Sequence, residues 1–144
     1  MEINLITPAG KQLKNGNRIT AVRWARLLRR AGHQVHVTND YDGRAVDLLI
    51  ALHAWHSAKA VQRYRCQVPE GPLVVGLGTD VNSFLKSDRQ ITLNTMKAAD
   101  ALICLHDLVG EALPPALSGR LNVVRQSAPP LSAPRIPSKR HFDI

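Results

Sequence analysis

Short apolar runs alternate along this sequence with longer segments of helical periodicity, and this alternation constrains the fold more than any other feature. The runs that predict strands lie at residues 2–7, 34–38, 47–53, 72–77, 101–105 and 121–124. Helices are predicted between most of them, at residues 17–31, 57–67, 88–99 and 108–113. Because neighbouring parallel strands need a right-handed helical crossover, the pattern predicts an α/β fold with a doubly wound parallel sheet of about six strands.

The organisation changes near the end of the chain. The 144 residues, 44% of them hydrophobic, are enough for one domain with its own core. Residues 129–144 contain four prolines and show no hydrophobic period. We therefore expect a domain at residues 1–128, followed at residues 129–144 by a proline-rich linker toward a second domain. Residues 141–144 resemble the start of a new strand, which predicts a truncated chain.

Other features exclude several classes of protein. No apolar run approaches the roughly 18 residues that span a bilayer, and residues 1–4 lack the layout of a secretory signal, so a cytoplasmic protein without a membrane partner is expected. Cys66 and Cys104 lack the close Cys/His spacing of a zinc site, which predicts reduced packing residues and no metal. Neither Gly-x-Gly-x-x-Gly nor the P-loop motif occurs, and no cofactor is expected.

The charge balance predicts an anionic partner. Nineteen Lys and Arg residues against eleven Asp and Glu residues give a net charge of +8. With only 4% aromatic residues, the chain offers few rings on which nucleic-acid bases could stack, so a nucleic-acid partner is not favoured.

Ligands of an open parallel sheet bind beyond the carboxyl ends of its strands. After the first strand, Gly16, Asn17 and Arg18 stand at the start of a helix, where backbone N–H groups, the helix dipole and the guanidinium predict an oxyanion site. The alternative is a turn in which Asn17 caps the helix and Gly16 adopts a positive φ.

Polar residues also follow three later strands. His53 ends the third strand, where an imidazole can transfer a proton or bond a sugar hydroxyl, and Asp80 follows the fourth. We consider His53 and Asp80 candidate catalytic residues; the alternatives are a structural histidine and a helix cap. The predicted substrate-binding residues are Gly16, Asn17, Arg18, Thr79, Gln126 and Ser127.

These positions carry a resemblance to a known family. The chain resembles the N-terminal domain of retaining glycosyltransferases with two Rossmann-like domains, the GT-B architecture, and more narrowly the selenosugar synthase family of selenoneine biosynthesis. The resemblance covers nearly the whole chain, and its longest and most specific block is residues 15–28. Its other blocks are residues 47–54, 57–58, 78–80, 98–100, 112–117 and 126–128.

The resemblance implies transfer of a sugar from a UDP-sugar to selenophosphate, with selenium displacing the nucleotide at the anomeric carbon. Both substrates are anionic, which agrees with the basic balance. It also implies that a C-terminal Rossmann-like domain supplies most of the nucleotide-sugar pocket, so this chain would be the acceptor-side half and inactive alone. The opposing interpretation is a non-enzymatic basic module that binds an anion or RNA.

Overall fold

A six-stranded sheet forms the centre of the molecule in the computed structural model, which describes residues 1–8 and 16–126. Its strands are β1 Glu2–Ile6, β2 Gln34–Thr38, β3 Leu48–Leu52, β4 Leu73–Gly76, β5 Ala101–Cys104 and β6 Leu121–Val123. They lie in the order β2-β1-β3-β4-β5-β6, and every neighbouring pair is parallel. The predicted α/β fold with a parallel sheet is therefore confirmed.

Helices connect most of the strands. They are α1 Gly16–Arg30, α2 Ala58–Gln67, α3 Thr79–Asn82, α4 Phe84–Ser87, α5 Arg89–Ala98, α6 Val109–Ala112 and α7 Pro115–Ser118. The sequence patterns predict α1, α2, α5 and α6 but neither α3, α4 nor α7. Helices α3, α4 and α7 have four residues each, about one turn, and one turn carries little hydrophobic periodicity; α6 is equally short but lies within the helix predicted at residues 108–113.

Two apolar clusters hold the helices on opposite faces of the sheet. Ala21 and Ala25 of α1 pack with Ile3 and Leu5 of β1 on one face. The larger cluster lies on the other face, where helices α2 and α5 pack against the sheet, with Tyr64 and Met96 fully buried. Successive residues of β3 point to the two clusters in turn, as expected for a strand buried on both faces.

The connection from β2 to β3 contains no helix, yet it is fixed to the fold. Tyr41 is buried in it and lies edge-on to Tyr64 of α2, with the ring centroids 5.1 Å apart. Its hydroxyl donates to the carbonyl of Arg44, and its own carbonyl accepts from Arg63 at 2.8 Å. This link carries the chain past β1, so β1 becomes an interior strand with β2 and β3 on its two sides.

The structure can be compared with three further expectations from the sequence: the cysteines, the absence of a membrane-spanning helix, and the end of the chain. Cys104 is buried, as a packing residue should be, and burial raises the pKa of its thiol. Cys66 is exposed on α2, so the prediction that it is a packing residue is wrong. Within residues 1–8 and 16–126, no helix is long and apolar enough to cross a membrane. The predicted linker at residues 129–144 and the predicted site residue Ser127 lie outside the described residues.

Candidate functional site

The order in which strands are added to the sheet changes direction at β1, because β2 lies on one side of β1 and β3 lies on the other. In open α/β sheets this switch point, at the carboxyl ends of the strands, is where ligands bind. A groove of about 640 Å³ lies at that end, against the face of the sheet that α1 covers. Its walls are residues Gly16, Asn17, Ile19, Thr20, Trp24, Leu52, Gly76, Leu77, Gly78, Thr79, Asn82, Ile103, Leu105, His106, Val109 and Gln126.

The first turn of α1 forms one wall of the groove. Gly16 and Asn17, two of the predicted substrate-binding residues, line it directly. Backbone N–H groups of a first helical turn have no partner within the helix, and the positive end of the helix dipole is added to them. Arg18 is half-buried in the same turn, but it is not among the residues that line the groove.

Gln126 joins the other end of the described chain to this wall. Its side-chain amide donates to the hydroxyl of Thr20 at 2.7 Å, although the two residues are 106 positions apart. The bond holds the segment after β6 against α1 at the rim of the groove. Four of the predicted substrate-binding residues therefore line the same groove: Gly16, Asn17, Thr79 and Gln126.

Thr79 connects the groove to His53. The threonine is exposed in the groove, and its Oγ1 lies 3.4 Å from Nε2 of the buried histidine. Nδ1 of His53 accepts the backbone N–H of His56 at 3.3 Å, so in the neutral ring Nε2 carries the proton and donates to Thr79. The hydroxyl hydrogen of Thr79 is then directed away from His53 and can serve a ligand.

The environment of His53 favours the neutral ring. Burial lowers the pKa of His53 from its ordinary value of 6.5, and the positive charge of a protonated His56 would lower it further. The carboxylate of Asp80 acts in the opposite direction but does not outweigh burial. At neutral pH the imidazole thus acts as a neutral donor to Thr79, and it does not itself line the groove.

Asp80 is fully buried, and both of its carboxylate oxygens are occupied. One accepts the backbone N–H of Ala54 at 2.7 Å and the other accepts that of Gly78. The side chain therefore ties the loop after β3 to the loop after β4. This geometry makes Asp80 a positioning residue for the two loops; direct participation in a reaction stays a prediction.

An aromatic cluster stands behind His53. The rings of Trp55 and Phe84 stack with centroids 4.4 Å apart, and the ring of Phe84 lies 5.3 Å from that of His53. His56 completes the cluster, 4.3 Å from His53. The sequence patterns did not indicate Phe84, which lies in α4, one of the helices they did not predict. The signal that the sequence offered was the aromatic Trp55, two residues after the end of the third predicted strand.

Buried polar atoms mark the same end of the sheet. The hydroxyl of Thr7, directly after β1, and the indole N–H of Trp55 have no hydrogen-bond partner among the described residues. Such groups are available to water or to a ligand. In the described part of the chain, no three His, Cys, Asp or Glu side chains are arranged to hold a metal ion.

The groove therefore combines polar hydrogen-bonding groups, with no Asp, Glu, Lys or Arg side chain among the described residues of its walls, with one aromatic wall. Amides, hydroxyls and the imidazole of His106 supply the polar lining, and the half-buried ring of Trp24 supplies the apolar side. A lining of this kind suits a hydroxyl-rich ligand, and the start of α1 suits an anionic group on it. No protein-family model matches the sequence, and a search of the curated proteins finds no match.

Proposed function

We propose that this chain is the acceptor-side half of a retaining glycosyltransferase that transfers a sugar from a UDP-sugar to selenophosphate. The observation that carries the proposal is the groove in which the start of α1, with Gln126 bonded to that helix, faces Thr79. It supports binding of an anionic acceptor at the helix and of sugar hydroxyls at the opposite wall. The resemblance of residues 15–28 to the selenosugar synthase family supports the choice of substrates.

The proposed reaction forms one bond and breaks one bond at the anomeric carbon. A selenium lone pair of selenophosphate forms the Se–C bond, and the C–O bond to the diphosphate breaks with its electron pair leaving on UDP. Negative charge grows on the departing diphosphate, so fixed cations and N–H groups near it lower the barrier. The role of this chain is to hold selenophosphate within reach of the anomeric carbon.

Each named residue has a part in this proposal. The N–H groups at Gly16 and Asn17 and the guanidinium of Arg18 bind the phosphate oxygens of selenophosphate. The hydroxyl of Thr79, oriented by His53 at 3.4 Å, bonds a sugar hydroxyl. Asp80 keeps Thr79 in place by fixing the two loops. A C-terminal Rossmann-like domain, the partner in this proposal, binds the nucleotide across the groove.

Binding of selenophosphate to the isolated chain tests the anion site directly. Arg18→Ala is expected to weaken binding by roughly 1.5–3 kcal/mol, the usual worth of a hydrogen bond to a charged group. Arg26→Ala is the matched control, because Arg26 lies on the exposed side of the same helix. Titration calorimetry with both variants measures the difference, and thermal melts show whether either change affects folding. Equal affinities for both variants would place the anion elsewhere.

A second candidate function is a basic module that binds RNA, and one observation favours it. Helix α1 contains five arginines and no acidic residue. Binding of RNA through such a helix neutralises phosphates and releases counterions, so affinity falls steeply with salt. A filter-binding titration of an RNA hairpin at several salt concentrations distinguishes the two functions, since the glycosyltransferase half gives no salt-dependent RNA complex.

A further inference from the structure

One half of one face of the sheet lacks a covering helix among the described residues. A row of paired residues crosses this face from β3 to β6: Leu52 and Gly76 are buried, Ile103 is half-buried and Asn122 is exposed. The row nearer the amino ends behaves in the same way, since Val74 and Ala101 are both half-exposed. Exposure thus increases with distance from α1.

The opposite face of the same strands shows that the exposure depends on whether a helix covers the strand residues, and not on the strands themselves. Its corresponding row runs through Ala51, Val75 and Leu102, which are all buried, to Leu121, which packs against the core. Helices α2 and α5 cover that side. Parallel sheets are normally covered on both faces, so over the described residues this half of the face has room for a further element.

The open half has the shape of a trough. Its floor is apolar and consists of Val74, Ile103 and Leu105, all half-buried. Its wall is the flank of α1 on which Trp24 and Leu27 lie at helical spacing, and Leu27 is 47% exposed. Strands are spaced about 4.8 Å apart and packed helices about 8–10 Å apart, so the area over β4 to β6 has room for one helix beside α1.

The charge of the wall indicates what kind of helix fits. Helix α1 carries five arginines without a single acidic residue, and by helical spacing the exposed Arg30 lies beside the flank of Leu27. An apolar helix with an acidic edge complements both the floor and this wall. We propose that the trough is the docking site for an amphipathic helix with an acidic edge, supplied by a partner polypeptide. The trough adjoins the candidate groove and shares Trp24, Ile103 and Leu105 with it, but the proposal rests on this apolar surface and not on the sugar-transfer function.

Two designed peptides test the proposal against the full chain. Both are helices of about 18 residues with one leucine ridge, and they differ only in having Glu or Lys along the edge of that ridge. They are titrated into isotope-labelled protein, and amide shifts are followed by NMR. The Glu peptide is expected to bind at least roughly fivefold more tightly than the Lys peptide and to shift the signals of Val74, Ile103 and Trp24.

Variants of the chain identify the surface. Ile103→Asp is expected to weaken binding of the Glu peptide at least roughly tenfold, because it places a carboxylate on the apolar floor. Leu27→Glu, at an exposed position that cannot disturb the core, gives a second reading if Ile103→Asp does not fold. Ile91→Asp is the matched control: Ile91 is 48% exposed on α5, on the other face, and its substitution is expected to leave binding unchanged.

Several outcomes would overturn the proposal. They are equal affinity for the two peptides, shifts confined to α2 and α5, and binding that Leu27→Glu and Ile103→Asp leave intact. Self-association of the chain through the trough, seen by sedimentation and removed by Leu27→Glu, would assign the surface to a second copy. An RNA hairpin that shifts the same signals where the Glu peptide does not would assign it to nucleic acid.

Discussion

The backbone of His53 adopts a conformation that few side chains accept. Its φ is +71°, in the left-handed region, and the residue is buried. Its N–H donates to the carbonyl of Gly76 at 2.7 Å, and its carbonyl accepts from Ser57 at 3.0 Å. These bonds hold a conformation that costs about 1–3 kcal/mol, and the turn directs the imidazole toward Thr79. Strain at this residue therefore serves the geometry of the groove.

The lowered pKa of His53 makes folding stability depend on pH. Because the pKa in the folded state is below the unfolded value of 6.5, the unfolded chain binds the proton more readily. The contribution of neutral His53 to folding stability is complete above the pKa of His53 in the unfolded chain. It is lost as the pH falls from that value toward the lower pKa of His53 in the folded chain. We expect the thermal midpoint to decrease as the pH is lowered from about 7.5 to about 5.5. This decrease is expected to be smaller in His53→Asn.

Asn is the appropriate replacement because it tolerates positive φ and does not titrate. His106→Gln provides the control, since His106 is exposed and its removal leaves the buried imidazole in place. Thermal melts of all three proteins at each pH measure the effect. If the fall in midpoint is the same in His53→Asn as in the wild type, another group is responsible.

Asp80→Asn tests the positioning role of that carboxylate. In the wild type, each carboxylate oxygen accepts one backbone N–H. The amide of the variant keeps one of these acceptors, but its NH₂ group replaces the other and faces a backbone N–H, which then has no acceptor. We expect a loss of about 1–3 kcal/mol in the free energy of unfolding, the cost of an unsatisfied buried donor. Urea denaturation measures it, with exposed Asp42→Asn as the control. A loss no larger than that of the control would contradict the role.

The sequence predicted the position of Asp80 but not its partners. A carboxylate after the fourth strand is visible in the sequence, whereas its bond to Ala54 joins residues 26 positions apart. The stack of Trp55 on Phe84 also joins two separate loops. Contacts of this kind depend on the three-dimensional arrangement of loops, which no local pattern contains. The neighbours Gly16, Asn17, Thr79 and Gln126 were predictable because strand ends meet at one edge.

At the scale of whole elements, Gly76 shows how closely β4 approaches its neighbours. A Cβ added there would lie 2.7 Å from Cδ2 of Leu52 and 3.5 Å from the ring of Trp24. We expect Gly76→Ala to destabilise the fold by about 1–3 kcal/mol, the usual cost of overpacking. Chemical denaturation measures the loss, and the altered floor of the groove is expected to weaken ligand binding as well.

Gly119→Ala is the matched control for this element. Apart from its chain neighbours, no atom of the described residues lies within 4 Å of a Cβ added at Gly119, and its φ of −67° is open to alanine. The substitution is expected to be neutral or to stabilise by about 0.4–1 kcal/mol, because alanine reduces the freedom of the unfolded chain. Similar destabilisation by both changes would show that the contact with Leu52 is not the cause.

The six strands and four helices that the sequence predicts agree with the structure to within one residue at each end, whereas α3, α4 and α7 were not predicted. The strand predicted at 47–53 is Leu48–Leu52, and the helix predicted at 17–31 is Gly16–Arg30. Long periodic segments carry their own signal because one face must meet the core. The order of the strands could not be predicted from periodicity alone. It depends on the helix-free link that takes the chain from β2 past β1, and this link is anchored by Tyr41.

At the scale of the whole molecule, the proposed function predicts that the chain alone does not transfer sugar. One wall of a cleft binds an acceptor but does not hold a UDP-sugar at the reacting distance. Purified protein is expected to give no selenosugar from a UDP-sugar and selenophosphate, by mass spectrometry, while still binding selenophosphate. Turnover that co-purifies with the chain and disappears in Arg18→Ala would show that a second domain is not required.

The interior place of β1 also governs how the molecule assembles. Because β1 pairs with β2 on one side and with β3 on the other, both of its edges are closed only after these two later strands have been synthesised. Every pairing in the sheet joins segments that are distant in the chain, and chains of this kind fold more slowly than those built from local contacts. A nascent chain at the ribosome thus exposes the apolar strand β1 until β3 has emerged, and this interval is when a chaperone would meet it.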